Sequence, residues 1–129
     1  MAESGLNLAG YTSSFTITGT GFVVNPTAIV NYTVIGNIII LSLPALTGTS
    51  NSTTFTLTGL PSALQPTQES NHIVMITDGQ GGATDAYGIL RFSSGSTTLT
   101  MICPVTSDGS WAQSGTKTLY ATSIMYVRA

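Results

Sequence analysis

Charged residues are scarce in this chain. Only 6% of its 129 residues are charged, against about 25% in an ordinary soluble domain. The surface must therefore be built mainly from Thr, Ser, Gly, Asn and Gln. Such a surface suits subunits that bury their flanks in an oligomer, where unpaired charges are costly, or polar faces that meet sugars and other neutral surfaces. The composition favours an oligomer, with a soluble monomer of low charge as the alternative.

Basic residues and long apolar runs are also lacking. The three basic residues, Arg91, Lys117 and Arg128, against five acids give a net charge of -2. No basic stripe is present to neutralise phosphates, which argues against a nucleic-acid partner. No apolar run approaches the ~20 residues that a transmembrane helix needs. The N-terminus, MAESGLNLAG, lacks the basic and apolar regions of a signal peptide, so we expect a chain made and kept in a cytosol or one whose leader has been removed.

Cysteine and histidine each occur once. Cys103 alone excludes an intrachain disulfide and any zinc site built on several thiolates. It ends an apolar run before Pro104, so we expect a buried small hydrophobe. His72 begins an alternating segment and is expected to be structural. Because the chain has no nucleophile elbow, phosphate-binding loop or dinucleotide fingerprint, the sequence predicts no enzyme, no cofactor and no metal.

Short strands are what the chain does contain. Residues 31–66 show the pattern best, with an alternating segment, a turn at Gly36 and Asn37, and the unbroken apolar run 38–41. A continuous aliphatic run bounded by turn residues predicts a strand covered on both faces, either within the chain or in part by neighbouring subunits. A single turn of 3₁₀ helix is expected at residues 62–64.

Turn signals separate about eight such segments, and no window shows a helical stripe. The sequence therefore predicts an all-β antiparallel sandwich. An N-terminal arm over residues 1–12 is expected to precede one sandwich domain over residues 13–129. The predicted strands are residues 13–24, 28–34, 38–43, 53–58, 72–77, 84–92, 97–103 and 116–128.

One group of candidate ligand-binding residues lies in the long loop 105–115. Trp111 stands there near Asp108 and Gln113. An exposed aromatic ring beside amide and carboxylate side chains is typical of a sugar-binding site, because the ring stacks on sugar C–H groups while its neighbours bond the hydroxyls. The alternative interpretation is that the indole folds back and plugs the open end of the sandwich.

Two further candidates, Asp78 and Asp85, flank the glycine-rich loop 79–82. Two carboxylates with loop carbonyls would supply several of the oxygen ligands that calcium needs, but the spacing does not match an EF-hand. The favoured interpretation is that both side chains stabilise their own turns. A glycosidase pair of carboxylates is a weaker hypothesis, since the few acids all lie in or beside turns.

Two segments of the chain also carry the pattern of a known family. The first runs from Tyr32 to Pro66 and the second from Gly88 to Lys117. Together they resemble the C-terminal domains of tailed-bacteriophage tail-fibre and related virion fibre proteins. The matching residues are Tyr32, Ile35, Gly36, Asn37, Phe55, Thr56, Leu57, Gly59, Leu60, Pro61, Leu64, Pro66, Gly88, Ile89, Leu90, Arg91, Phe92, Trp111, Ser114, Gly115, Thr116 and Lys117.

The resemblance implies a homotrimeric jelly-roll sandwich at the tip of a fibre. It implies adhesion to a host-surface glycan or protein, without catalysis, by a virion component made in the host cytoplasm. Two alternatives stay open at this point. One is a capsid decoration or head-fibre protein that uses the N-terminal arm as its anchor, and the other is a small β-sandwich enzyme acting on carbohydrate.

Overall fold

The computed structural model describes residues 10–106 and 108–129. Residues 1–9 of the predicted N-terminal arm lie outside the described residues. Within the described residues, the secondary structure consists of ten strands and one short 3₁₀ helix, Ser62–Leu64. The strands are β1 Tyr11–Thr20, β2 Thr27–Ile35, β3 Ile38–Leu43, β4 Leu46–Thr49, β5 Phe55–Thr58, β6 Ser70–Asp78, β7 Ala83–Phe92, β8 Thr98–Ile102, β9 Thr116–Leu119 and β10 Thr122–Val127.

The all-β antiparallel prediction is confirmed, with ten strands in place of about eight. One extra strand is β4, which overlaps a predicted loop and pairs with β9 from Leu46 to Thr49. Leu46 is buried, and the Thr47 and Thr118 hydroxyls are 2.7 Å apart across the pair. The other arises because the predicted final strand divides at Tyr120 and Ala121. Its two halves, β9 and β10, pair with different strands.

The strands form one curled sheet in the order β10-β3-β2-β1-β5-β8-β7-β6-β9-β4. The curl brings β10 against β6. The Met75 carbonyl accepts the Tyr120 amide. From Ser70 to Met75, β6 runs beside β10 with no ladder between them. The sandwich therefore has a seam along β6 and β10. Within the described residues, no helix is long and apolar enough to cross a membrane.

The core lies between the two layers of the curled sheet. Inward-facing positions alternate along each strand and supply it with aliphatic and aromatic side chains. Phe55 and Phe92 are the largest of the fully buried hydrophobic side chains. Cys103 is also buried, as predicted, and its burial raises the pKa of the thiol.

The prediction that the apolar run 38–41 is covered on both faces is wrong for the single chain. Ile39 and Leu41 are fully buried, whereas Ile38 is 41% exposed and Ile40 is 36% exposed. The reason is that β3 lies in an antiparallel layer with one packed face: other strands cover its inner face, and its outer face is left open.

The outer side of this layer carries an exposed apolar surface. Cross-strand pairing aligns Val127 with Ile38 and Ile35 in one row, and Met125 with Ile40 in the next. We call these five residues the outer apolar face. Ile35 is half-buried and the other four are exposed.

Candidate functional site

Trp111 lies in the core, at one end of the sandwich. Its side chain is 2% exposed, and its indole Nε1 donates a hydrogen bond to the Met101 carbonyl at 3.0 Å. The ring packs edge-on against Phe55, with the ring centroids 5.2 Å apart. This geometry fits the interpretation of Trp111 as a plug. A stacking platform for a sugar needs an open ring face, which this indole does not offer.

Lys117 lies beneath this plug and is completely buried. Its Nζ donates to the carbonyls of Gly21 at 2.8 Å, Ser52 at 3.2 Å and Thr54 at 2.8 Å. Three aromatic rings surround the ammonium group, with centroids 5.0 to 5.8 Å away: Phe22, Phe55 and Trp111. The ammonium thus joins β9 to two loops. Sequence analysis did not identify this role.

Asp78 is the second buried charge at this end of the molecule. Its Oδ2 accepts the Ala112 amide at 3.0 Å, which fastens the loop bearing Trp111 to β6. Its Oδ1 has no hydrogen-bond partner among the described residues. Asp78 pairs with Lys117 across β6 and β9. The carboxylate therefore contributes to holding the plug, and it faces the interior of the protein.

Asp108 and Gln113 are exposed on the same loop. The Asp108 carboxylate accepts the Ser110 amide at 3.1 Å, and hydrogen bonds from Ser110 lower its pKa. This contact is a local turn of the kind expected for aspartate. Because Trp111 is turned inward, its ring is not available beside the Asp108 and Gln113 side chains. A binding role for Asp108 and Gln113 stays a prediction.

Asp85 lies in a different place, on the outer side of β7. It lines a groove of about 330 Å³ at one end of the seam between β6 and β10. We call this the seam groove. Its walls are largely apolar and aromatic, with one carboxylate, from Asp85, and two hydroxyl groups, from Tyr87 and Thr122. The lining residues are Ile73, Val74, Met75, Asp85, Ala86, Tyr87, Ala121 and Thr122.

The Asp85 carboxylate is fixed by its neighbours. The Tyr120 hydroxyl donates to Oδ1 at 2.6 Å, and the Thr77 Oγ1 lies 3.0 Å from the same hydroxyl. The Asp85 amide donates to Thr77 Oγ1 at 3.3 Å. Asp85 also has a φ of 48°, the one positive φ outside glycine among the described residues. Such strained positions persist where their surroundings hold them and are concentrated at functional sites.

Open apolar side chains stand beside this carboxylate. Tyr87 is 55% exposed, Met75 is 53% exposed and Ile73 is 75% exposed. Tyr87 and Met75 are directly opposite each other on β7 and β6. An exposed aromatic ring next to a positioned carboxylate is the arrangement that the sequence analysis sought at Trp111. The structure places it at Tyr87 and Asp85 instead.

The residues predicted from the sequence therefore do not form one site. Asp78 contacts the plug loop and Asp85 contacts Tyr120, so the two carboxylates share no partner. The described residues bring together no group of three or more His, Cys, Asp or Glu side chains that would hold a metal. Sequence analysis missed Tyr87 and Met75. The signal that could have found them is a large apolar or aromatic side chain at an outward-facing position of a strand.

A second, smaller groove of about 190 Å³ lies at the other end of the seam. It is lined by His72 and by the far end of β10, from Met125 to Val127. The imidazole packs edge-on against Phe92 at a centroid distance of 5.1 Å and lies 3.0 Å from the Ser70 hydroxyl. Burial lowers the pKa of His72. These contacts are consistent with the structural role expected for this histidine.

Comparison with known proteins is informative at the level of the fold. No protein-family model and no curated protein matches the chain. Among solved structures, the chain is similar to a reovirus attachment protein, sigma1, crystallised in complex with alpha-2,3-sialyllactose. The TM-score is 0.58 at 15% sequence identity, and the match covers 98% of this chain and 70% of that chain.

At this level of identity the similarity establishes a shared fold. It supports the predicted all-β sandwich of jelly-roll type. The matched protein is a viral attachment protein, which is the general kind of protein that the sequence pattern resembles, although it is not a bacteriophage tail fibre.

Proposed function

We propose that this chain is a non-enzymatic receptor-binding domain of a virus particle, and that the seam groove binds the receptor. The main observation behind this proposal is the groove itself, where the exposed Tyr87 ring lies beside the Asp85 carboxylate, which Tyr120 holds in place. The fold shared with a viral attachment protein supports this assignment. The sequence resemblance to phage fibres makes the tip of a bacteriophage fibre the proposed location, and a host-surface glycan or protein the proposed receptor.

Binding to bacterial cells tests the role of the groove. Labelled protein is incubated with a panel of bacterial strains, and the bound fraction is measured for the native chain and for Tyr87→Ser. A matched control is Tyr11→Ser, because Tyr11 is 53% exposed but lies on β1, outside the groove. We expect Tyr87→Ser alone to lose binding. Equal binding by both variants, with unchanged melting temperatures, would contradict the proposal for this groove.

We also propose that copies of the chain associate through the outer apolar face. Four of its five side chains are exposed in the single chain. The next row of the same layer aligns uncharged polar residues, Ser123, Ser42 and Asn31. A neutral, apolar face of this kind is suited to a second copy of itself, since no like charges meet. The fibre resemblance makes the proposed assembly a homotrimer.

The outer apolar face also favours one second candidate function. A face that docks on other virion proteins, in place of copies of itself, would make the chain a capsid decoration or head-fibre protein. Purification with capsids in a fixed ratio, without affinity for cells, would select this function over receptor binding.

A further inference from the structure

We infer that the seam groove takes a neutral glycan and rejects anionic ones such as sialosides. This inference rests on the proposed receptor-binding function and specifies the chemical class of its ligand. It does not follow from the fold, because the matched attachment protein was crystallised with a sialylated sugar. The argument comes from the charges and side chains of the groove in this chain.

The charge of the groove is negative. Asp85 is the one formal charge among its lining residues, which include no lysine, arginine or histidine. The three bases of the chain lie outside this lining: Lys117 is buried on three carbonyls, Arg91 lies 3.7 Å from Glu69, and Arg128 forms an isolated bridge with Pro66. An anionic sugar placed in this groove would meet the Asp85 carboxylate without a cation to offset the repulsion.

The hydrogen-bonding character of the groove suits sugar hydroxyls. An ionised carboxylate is an acceptor with two oxygens, and Tyr120 occupies Oδ1 of Asp85. Because Asp85 is exposed, we expect Oδ2 to be open to a ligand donor. A sugar hydroxyl is such a donor, and Thr122 adds a hydroxyl that can both donate and accept. The network through Tyr120 and Thr77 orients the carboxylate before a ligand arrives, which reduces the entropic cost of binding.

The apolar walls suit the other side of a sugar ring. The Tyr87 ring and the Met75 and Ile73 side chains offer open surface that would cover sugar C–H groups. The volume of about 330 Å³ is at the lower end of the range of about 300–1,000 Å³ for ligand sites. The groove therefore fits a terminal sugar better than a long chain. A cationic peptide side chain would also pair with Asp85, but it would leave this apolar surface without a matching partner.

A microarray of neutral glycans printed beside their sialylated counterparts tests the inference. We expect the native chain to bind at least one neutral glycan, and to bind its sialylated counterpart at least tenfold more weakly. Asp85→Ala should weaken binding of the neutral glycan at least tenfold, because a hydrogen-bond acceptor is lost. Asp85→Asn keeps an acceptor and tolerates the positive φ, so it should bind the neutral glycan and bring the two affinities closer together.

Glu69→Gln is the matched control for charge. Glu69 is exposed and outside the seam groove, and its change removes the same formal charge, so we expect no change in the ratio of the two affinities. The Tyr120→Phe variant tests positioning, because it keeps Asp85 but removes the hydroxyl that holds it. Tyr120→Phe should weaken binding of the neutral glycan less than Asp85→Ala does.

The outcomes separate this inference from the proposed function. If the sialylated glycan binds as tightly as the neutral one, and Tyr87→Ser abolishes both, the inference is wrong and receptor binding stands. If cells bind through Tyr87 but no glycan binds, the receptor is a protein and the inference is again wrong. If the native chain binds neither cells nor glycans, the proposed function itself fails.

Discussion

Replacing Lys117 with Met is the most direct test of how this fold is held together. The Met side chain is apolar and of similar length, so it fills most of the same space while removing the ammonium group. The change abolishes three hydrogen bonds from Nζ to the carbonyls of Gly21, Ser52 and Thr54. It also removes the positive charge from among three aromatic rings.

The loss of stability depends on which hydrogen bonds the three carbonyls keep once the ammonium group is gone. The Gly21 carbonyl also accepts the Asn51 amide, and the Ser52 carbonyl shares the Ser50 hydroxyl proton, at 3.1 Å, with the closer Ala112 carbonyl, at 2.6 Å. Thr54 has no second donor among the described residues, so its carbonyl is left unpaired, at about 1–3 kcal/mol. Loss of the charge-assisted bonds adds to this, whereas removal of a desolvated ammonium group opposes it. We expect Lys117→Met to lower the free energy of unfolding by about 1–3 kcal/mol at pH 7.

The same residue predicts a pH dependence with a definite sign. Burial lowers the pKa of Lys117 to about 8, and the charge of Asp78 partly opposes this shift. In the unfolded chain a lysine titrates near ~10.4. Between these values the unfolded state binds more protons, so the free energy of unfolding of the native chain should rise with pH. The rise is at most about 3 kcal/mol, and hydrogen bonds to the charged form make it smaller. It should be absent in Lys117→Met.

Denaturant unfolding of both proteins at pH 7 and pH 10 measures these quantities. Arg91→Met is the control, because it removes the same formal charge from a partly exposed pair with Glu69 and should cost less than about 1 kcal/mol. The difference between native chain and Lys117→Met should widen at pH 10. The reasoning fails if Lys117→Met is as stable as the native chain at pH 7, or if the difference shrinks at pH 10.

Three further predictions concern the outer face and the core. Ile40→Asp, on the exposed side of β3, should yield a folded monomer by light scattering, whereas Ile39→Asp, in the core, should fail to fold. If the Ile40→Asp protein keeps the mass of the native oligomer, the interface lies elsewhere. Trp111→Ala should lose about 3–5 kcal/mol of stability in denaturant unfolding, and a variant of native stability would contradict its role as a plug. Burial raises the pKa of Tyr126, so the folded state keeps its proton longer and stability should fall above pH ~10; Tyr126→Phe should lack this fall, and an unchanged alkaline slope would refute it.

The strand pattern was predictable because burial and alternation are local signals. The 3₁₀ turn Ser62–Leu64 and the strand Ile38–Leu43 have the predicted bounds. Strand β4 was missed because its Leu-Thr-Gly-Thr sequence has the composition of a loop. Its strand character comes from pairing with β9, about 70 residues away in sequence, and no local pattern carries that information.

The candidate site was less predictable, for reasons of side-chain direction. Trp111 lies in a loop and Asp85 near the start of a strand; both stand between small residues, and the sequence does not show which of them faces solvent. The burial of Lys117 was equally hidden, because a lysine in a short Thr-rich strand normally points outward. Its burial requires carbonyls from Gly21, Ser52 and Thr54 to converge on one point, and only the tertiary fold brings them together.

The scarcity of charge has a sharper meaning once the fold is known. Lys117 and Asp78, already two of the eight charged residues in the chain, are buried in the core, so the surface has even fewer charges than the composition suggests. Long-range electrostatic steering is therefore weak. Assembly and receptor binding must depend on apolar contact and on hydrogen bonds to neutral groups, which is what the outer apolar face and the seam groove provide.

The two surfaces use different residues of β10, and this separation makes their functions testable one at a time. Thr122 belongs to the seam groove, while Met125 and Val127 belong to the outer apolar face. At about 3.3 Å per residue, Thr122 is roughly 10 Å from Met125 and roughly 17 Å from Val127. Ile40→Asp therefore alters assembly without touching the groove, and Tyr87→Ser alters the groove without touching the face. If a monomeric Ile40→Asp protein still binds a neutral glycan in solution but no longer holds to cells, then each site binds weakly and attachment depends on several copies acting together.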